Sequence, residues 1–291
     1  MTILEGINEQ IGKLFGVEPK PIDESLETKI NKALAEEREK IKPKRDDIDG
    51  FSWVTGDNNP IHRIQKRAKK LGFEDIPLMG AHLAAYGEQY VERVVEDMRK
   101  YWGADIRIIG QDNSFKAPVY AGQQILWQIT GYEKSDDIIK LKAVGTVKGE
   151  RVIDVTTRLG KEYYKMPQIA GPIFSRRYIL EKEHVEEFFN CVGAESNGTI
   201  PKILPAAFVP ATLLALLEER TQTMEGMNLS MDFDFLSQME LGRLQVDIFP
   251  TRKPKQRGDE YLYKFKAICS QNTKPIVYGK ILSATKYFIE Y

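Results

Sequence analysis

The hydrophobic and polar positions fall into blocks with two different periods. In "LETKINKALAEEREKIK", Leu26, Ile30, Leu34 and Ile41 lie close to helical spacing with charges elsewhere, which predicts an amphipathic helix lying on a core. "RIQKRAKK" predicts a short basic helix that stops near Gly72. In "GAHLAAYGEQYVERVVEDMRKYWG", Leu83, Tyr86, Tyr90, Val94, Met98 and Trp102 recur every three or four residues, so a long helix buries one face and stops at Gly103. From about Ile106 the period changes to strands, "QQILWQITGYE", "DIIKLKAVGTV" and "ERVIDVTTRLG", with turn signals at "KSDD" and "KGE". Helix followed by an antiparallel meander is an α+β arrangement. The prolines and glycines of "KEYYKMPQIAGPIF" then mark a linker.

After the linker the order repeats. "HVEEFFNCVGAESNGTIP" echoes "DIDGFSWVTGDNNPIHRI", and an offset of 137 lays Val185 on Ile48, Phe188 on Phe51 and Gly193 on Gly56. A helix-like stretch, "FVPATLLALLEERTQTM", follows. Phe115 to Gly122 and Phe235 to Gly242 are both separations of seven, and "DEYLYKFKAICS" and "KPIVYGKILSATKYF" read as closing strands. Two copies of one helix-plus-sheet unit account for this with the fewest assumptions. The expected organisation is a first unit over 1–160 with an N-terminal helical extension, a linker at 161–172 and a second unit over 173–291.

Composition narrows the class. The chain has 291 residues and 42% hydrophobic content, enough for a large core, and its 42 basic residues balance 42 acidic ones. No overall field draws it to nucleic acid or a lipid surface, and no stretch interleaves bases with aromatics as a nucleic-acid platform would. Cys191 and Cys269 lack metal-type spacing and suggest buried thiols in a reducing compartment. "MTILEGINEQIGKLF" does not read as a signal peptide, and no window approaches the roughly 20 apolar residues of a membrane span. The expectation is a soluble cytoplasmic protein.

The chemistry concentrates in "TGDNNPIH", Thr55 to His62, where one of three histidines follows an aspartate by five residues. Gly, Asn and Pro supply special backbone angles or local side-chain hydrogen bonds, so the pair sits on a shaped loop. Asp57 alone would most often be a turn former. At the repeat offset, however, Ala194 stands for Asp57 and Thr199 for His62, and a purely architectural pair would be expected to leave one member in the second copy. A zinc site from His62, His82 and Asp57 lacks thiolates, and no metal is expected.

"SWVTGDNNPIH", then "LGFEDIPLMGAHLAAYG", then "FKAPVYAGQQI", resembles the MaoC-like branch of the hotdog superfamily, the R-specific enoyl-CoA hydratases and related 3-hydroxyacyl thioester dehydratases. The resemblance is strong over roughly 45–160, and the second half resembles a decayed copy. It implies a double hotdog, each repeat a long central helix wrapped by a curved antiparallel sheet, the second repeat catalytically silent. It places the catalytic pair on Asp57 and His62 and the motif asparagine on Asn59. Family members usually show His-Gly where the central helix starts and its backbone N–H groups receive the thioester oxygen. Here the pair is Gly80-Ala81, with His82 one position later. These three, with Asn59, are the candidate substrate-binding residues, although His82 also reads as a satisfied histidine at a helix start.

The chemistry suits these residues. Adding water across a 2-enoyl thioester needs two proton-handling groups beside one water, and fixed donors for the charge that develops on the thioester oxygen. Which of Asp57 and His62 is the formal base stays open at this point. No cofactor is expected beyond coenzyme A or an acyl carrier as part of the substrate. Arg63, Lys66, Arg67, Lys69 and Lys70 could meet phosphates or an acidic carrier, or form a solvated helix face. The alternatives are a non-catalytic acyl-thioester-binding or assembly subunit, and a hotdog thioesterase. The chain is open to working alone or to pairing as a homodimer. Pro205 falls on Pro77 at an offset of 128, so apolar residues replace the second helix's thioester-receiving start, and Phe208 or a neighbour is expected to set the depth of an acyl tunnel.

Overall fold

The computed structural model describes residues 24–289, apart from 104, 136–137, 168, 170 and 197. The stretch Met1 to Phe15 therefore lies outside the described residues. The first half runs α1 (Glu24–Glu36), β1 (Arg38–Ile41), α2 (Arg45–Thr55), a 3-10 turn (Pro60–His62), α3 (Gln65–Lys70) and α4 (Gly80–Trp102). Strands β2 (Arg107–Phe115), β3 (Ile125–Ser135), β4 (Ile138–Val147) and β5 (Glu150–Gly160) follow. The second half runs β6 (Phe174–Leu180), α5 (Lys182–Val192), α6 (Ile203–Thr221), β7 (Met227–Phe235), β8 (Gly242–Pro250), β9 (Lys255–Arg257), β10 (Glu260–Gln271) and β11 (Lys274–Thr285).

One antiparallel sheet carries the chain in the order β1-β3-β4-β5-β2-β7-β11-β10-β8-β6, with β9 added beside β10. Read from either edge the order is the same, because β1, β3, β4, β5 and β2 correspond to β6, β8, β10, β11 and β7. The seam is the β2–β7 pairing, where Asp112 stands opposite Asp232 and Ser114 opposite Ser230. Arg158 bridges the seam, donating to Asp112 Oδ2 at 2.6 Å, Asp232 Oδ1 at 2.8 Å and Asp234 Oδ1 at 3.0 Å. Its charge offsets carboxylates that would otherwise repel across the strands.

The helices follow the same symmetry. Helices α2 and α5 have equal length, start 137 residues apart, and end on Gly56 and Gly193 in left-handed conformations with φ of 70° and 67°. They pack on each other, and Gly50 is what lets them approach, since a Cβ there would lie 2.2 Å from Glu187 Oε1 and 2.7 Å from Cys191 Sγ. Glu187 is the position that corresponds to Gly50, so this is a contact across a pseudo-two-fold axis. Central helices α4 and α6 also touch, and one buried core runs through both halves.

One element differs from the sequence expectation. The amphipathic helix ends at Glu36, and Arg38–Ile41 leaves it to pair with β3 as an edge strand, Ile41 opposite Ile125. Its alternating exposure shows that Ile41 packs by the period of a strand rather than of a helix. Among the described residues no helix is long and apolar enough to cross a membrane.

Candidate active site

The loop after α2 is built almost wholly from local hydrogen bonds. Gly56 reverses the chain and returns its N–H to the Ser52 carbonyl at 2.9 Å, while Ser52 Oγ donates to the Asp57 carbonyl at 2.5 Å. Asp57 Oδ1 accepts the Asn59 N–H at 3.1 Å, and Asn59 Oδ1 accepts the Ile61 N–H at 3.2 Å. Two successive side-chain turns of this kind are what Asp and Asn provide in a tight loop. The second opens the 3-10 turn, whose Pro60 presets its φ and carries His62 inward. Asn59 Nδ2 donates to the Gly226 carbonyl of the second half at 3.0 Å. Both ends of the Asn59 amide are thus engaged in holding the loop.

His62 Nδ1 lies 2.8 Å from the Pro77 carbonyl. A carbonyl only accepts, so Nδ1 carries the proton and Nε2 presents a lone pair in the neutral ring. Both catalytic candidates are buried, at 5% exposure for Asp57 and 9% for His62. Burial raises the Asp57 pKa, partly offset by His62 and the Asn59 N–H. Burial likewise lowers that of His62, partly offset by Asp57 and the Pro77 contact. The site therefore favours the uncharged form of each group.

Asp57 and His62 share the wall of a cavity of about 250 Å³. The first half contributes Gly80, Leu83 and Phe115, and the second half contributes Pro210, Leu213 and Leu214 from the middle of α6. Gly80 sits in the first turn of α4, whose Met79 supplies no side-chain cap, so the opening N–H groups keep their donor capacity. A Cβ on Gly80 would lie 3.0 Å from the Phe115 ring, so this glycine also lets Phe115 close the cavity beside the helix end.

Ala81 and His82 do not line the cavity. His82 is fully buried between the Phe51 and Tyr86 rings, at centroid distances of 4.3 and 4.7 Å, and its Nε2 donates to the Cys191 carbonyl at 2.9 Å. Burial lowers its pKa to about 4. It is an interface residue between the halves. Phe208 is displaced from its expected role as well: it is buried against Tyr178 at a centroid distance of 4.7 Å, off the cavity wall. Since α6 already begins at Ile203, the cavity meets this helix later, from Pro210 onward.

The corresponding helix end of the second half, the start of α6, is met by a side chain from the first half. The Ile203 N–H, in the first turn of α6, donates to Glu88 Oε1 at 3.1 Å. Glu88 reaches it from α4, fully buried, and burial raises its pKa to about 8. Sequence reasoning missed Glu88, which sits in an amphipathic helix with no distinguishing neighbours. It also missed Gly226, whose contribution is a backbone carbonyl. Phe115, Pro118 and Val119 of the "FKAPV" element do line the cavity.

Comparison with known proteins bears on the fold and on the first half of the chain. Residues 19–152 match the family described as MaoC like domain. Among solved structures, a putative MaoC domain protein dehydratase from Chloroflexus aurantiacus J-10-fl superposes with a TM-score of 0.63 at 8% identity, over 85% of this chain and 93% of that one. A MaoC-like dehydratase from Phytophthora capsici gives 0.56 at 10% identity, over 90% and 99%. The 12:0-ACP thioesterase from Umbellularia californica gives 0.54 at 7% identity, over 84% and 92%. At such identities the likeness is one of fold. No curated protein sequence matches the chain.

Proposed function

On the premise that this chain carries a MaoC-like domain over residues 19–152 and has the hotdog fold, we propose that it is an enoyl thioester hydratase, or the same chemistry reversed as a 3-hydroxyacyl thioester dehydratase. The observation that supports this reading most is that Asp57 and His62 meet on one wall of an otherwise mainly apolar cavity, beside an uncapped helix end.

The environment of each group supports one division of the roles. His62, neutral with its Nε2 lone pair free, takes a proton from water as the water oxygen bonds to the β-carbon. The double-bond electrons shift toward the thioester carbonyl, where the first-turn N–H groups of α4 at Gly80 would meet the developing charge. Asp57, whose burial favours the protonated acid, then delivers its proton to the α-carbon. Proton exchange through water restores the pair, and the reverse sequence eliminates water. In this reading the substrate is a coenzyme A or carrier-protein thioester, the second half is catalytically silent, and α6 serves as the wall against which the acyl chain lies. Each buried methylene there contributes about 0.8 kcal/mol.

The test is a panel of 2-enoyl-CoA and 3-hydroxyacyl-CoA thioesters of increasing length, with the product's stereochemistry determined. Reversible hydration to a single 3-hydroxy stereoisomer is expected. Tight binding without turnover across the panel would instead identify an acyl-thioester-binding subunit. Release of free thiol would identify a thioesterase.

A further inference from the structure

The catalytic loop belongs to the first half, yet its central hydrogen bond goes to the second. The segment that receives it, Glu225–Gly226, lies between the end of α6 and the start of β7 and is tied down on three sides. Thr285 Oγ1 donates to the Glu225 carbonyl at 2.8 Å, and Tyr287 Oη donates to Glu225 Oε2 at 3.3 Å, both from the chain after β11 or at its end. Glu225 Oε1 faces Arg67 Nη1 of α3 at 3.6 Å. Arg67 lies five residues beyond His62, so Glu225 grips the far side of the same loop whose middle Gly226 holds through Asn59.

We propose that Glu225 is a positioning residue for Asp57 and His62, fixing the catalytic loop from the silent half through Arg67 and through the adjacent Gly226 carbonyl. The connection to the reacting groups is short. Gly226 fixes the Asn59 side chain, and the Asn59 N–H in turn orients Asp57 Oδ1. Gly226 also lines the cavity and lies close to Leu217, so the segment sits where the acyl wall and the catalytic loop meet. The inference rests on the reading of Asp57 and His62 as the reacting pair. It adds a reason for the second half to persist although it carries no catalytic pair: it is the anchor against which that pair is set.

Three histidines make the test direct, because the His62, His82 and His184 ring signals can be assigned separately by NMR. Glu225→Ala is expected to move the His62 signal while leaving His82 and His184 in place. In the same variant kcat should fall by about tenfold with KM within about twofold, as for a small misplacement of a reacting group. Glu225→Gln keeps an acceptor for Tyr287 and should recover most of the lost kcat. Arg67→Gln, at a half-exposed surface position that threatens no core contact, should move the His62 signal in the same direction. An unmoved His62 signal in both Glu225→Ala and Arg67→Gln would overturn the proposal. So would a general shift of all three signals with a lowered Tm, which marks a merely structural role. If the wild type hydrates no enoyl thioester, the functional reading fails, and the His62 signal still decides whether Glu225 positions the loop.

Discussion

At the residue scale, the proposed reacting pair is defined by how few freedoms it retains. His62 is fixed at Nδ1 by Pro77, Asp57 at Oδ1 by the Asn59 N–H, and both are buried residues of the cavity wall. Asp57→Asn and His62→Ala are each expected to lower turnover by at least about a hundredfold while the fold is retained, the usual scale for a positioned acid or base. Activity near wild type in either variant would remove that residue from the mechanism. Because burial lowers the His62 pKa, the acid limb of the kcat/KM profile should fall below the ordinary imidazole value of about 6.5. A limb at or above that value would mean that a different group titrates. The shaped loop that carries the two residues was legible in the sequence because its turn chemistry is local. The partner of the Asn59 amide was not, because Gly226 lies 167 residues away and presents only a carbonyl. His82 was similarly ambiguous, since nothing near it in the chain says that Cys191 will face its ring.

At the element scale, the long helices and the meander follow from periodicity, and the deviations have local causes. Ile41 extends a helical pattern by one apparent turn, but its partner strand β3 decides its conformation. Helix α6 is apolar around its whole circumference, so its sequence gives no stripe to show which face meets the cavity. That is why Phe208 and Leu214 could not be told apart beforehand. Phe208→Ala is now expected to leave the chain-length profile of the proposed activity unchanged and to cost about 3–5 kcal/mol of stability, measured by denaturant unfolding, as for a buried aromatic truncated in a core. Leu214→Phe, on the cavity wall, should instead lower kcat/KM for long-chain relative to short-chain enoyl thioesters. A length profile that responds to Phe208 and ignores Leu214 would place the acyl path elsewhere.

At the scale of the whole molecule, the two halves are equivalent in topology and differ in the residues at the proposed site positions. The same strand order, the matched α2 and α5, and the self-complementary seam mark the equivalence, and the echo at an offset of 137 made much of it readable. The inequality rests on Ala194 and Thr199, which were readable, and on Glu88 closing the start of α6, which was not. Glu88 has a folded pKa raised to about 8 against an ordinary value of 4.5, so its contribution is fully present below about 4.5 and is lost as pH rises through about 8. The Tm of Glu88→Gln should therefore gain on that of the wild type across this interval, and a constant difference would show that Glu88 does not titrate there.

One reaction brings the molecule's organisation and its chemistry to a single readout: incubation with a 2-enoyl-CoA in heavy-oxygen water, followed by mass spectrometry of the products. The mechanism built on Asp57, His62 and the start of α4 requires one solvent oxygen at the β-carbon of an intact 3-hydroxyacyl thioester. Solvent oxygen in a free carboxylate with coenzyme A released, or no incorporation at all, would contradict it.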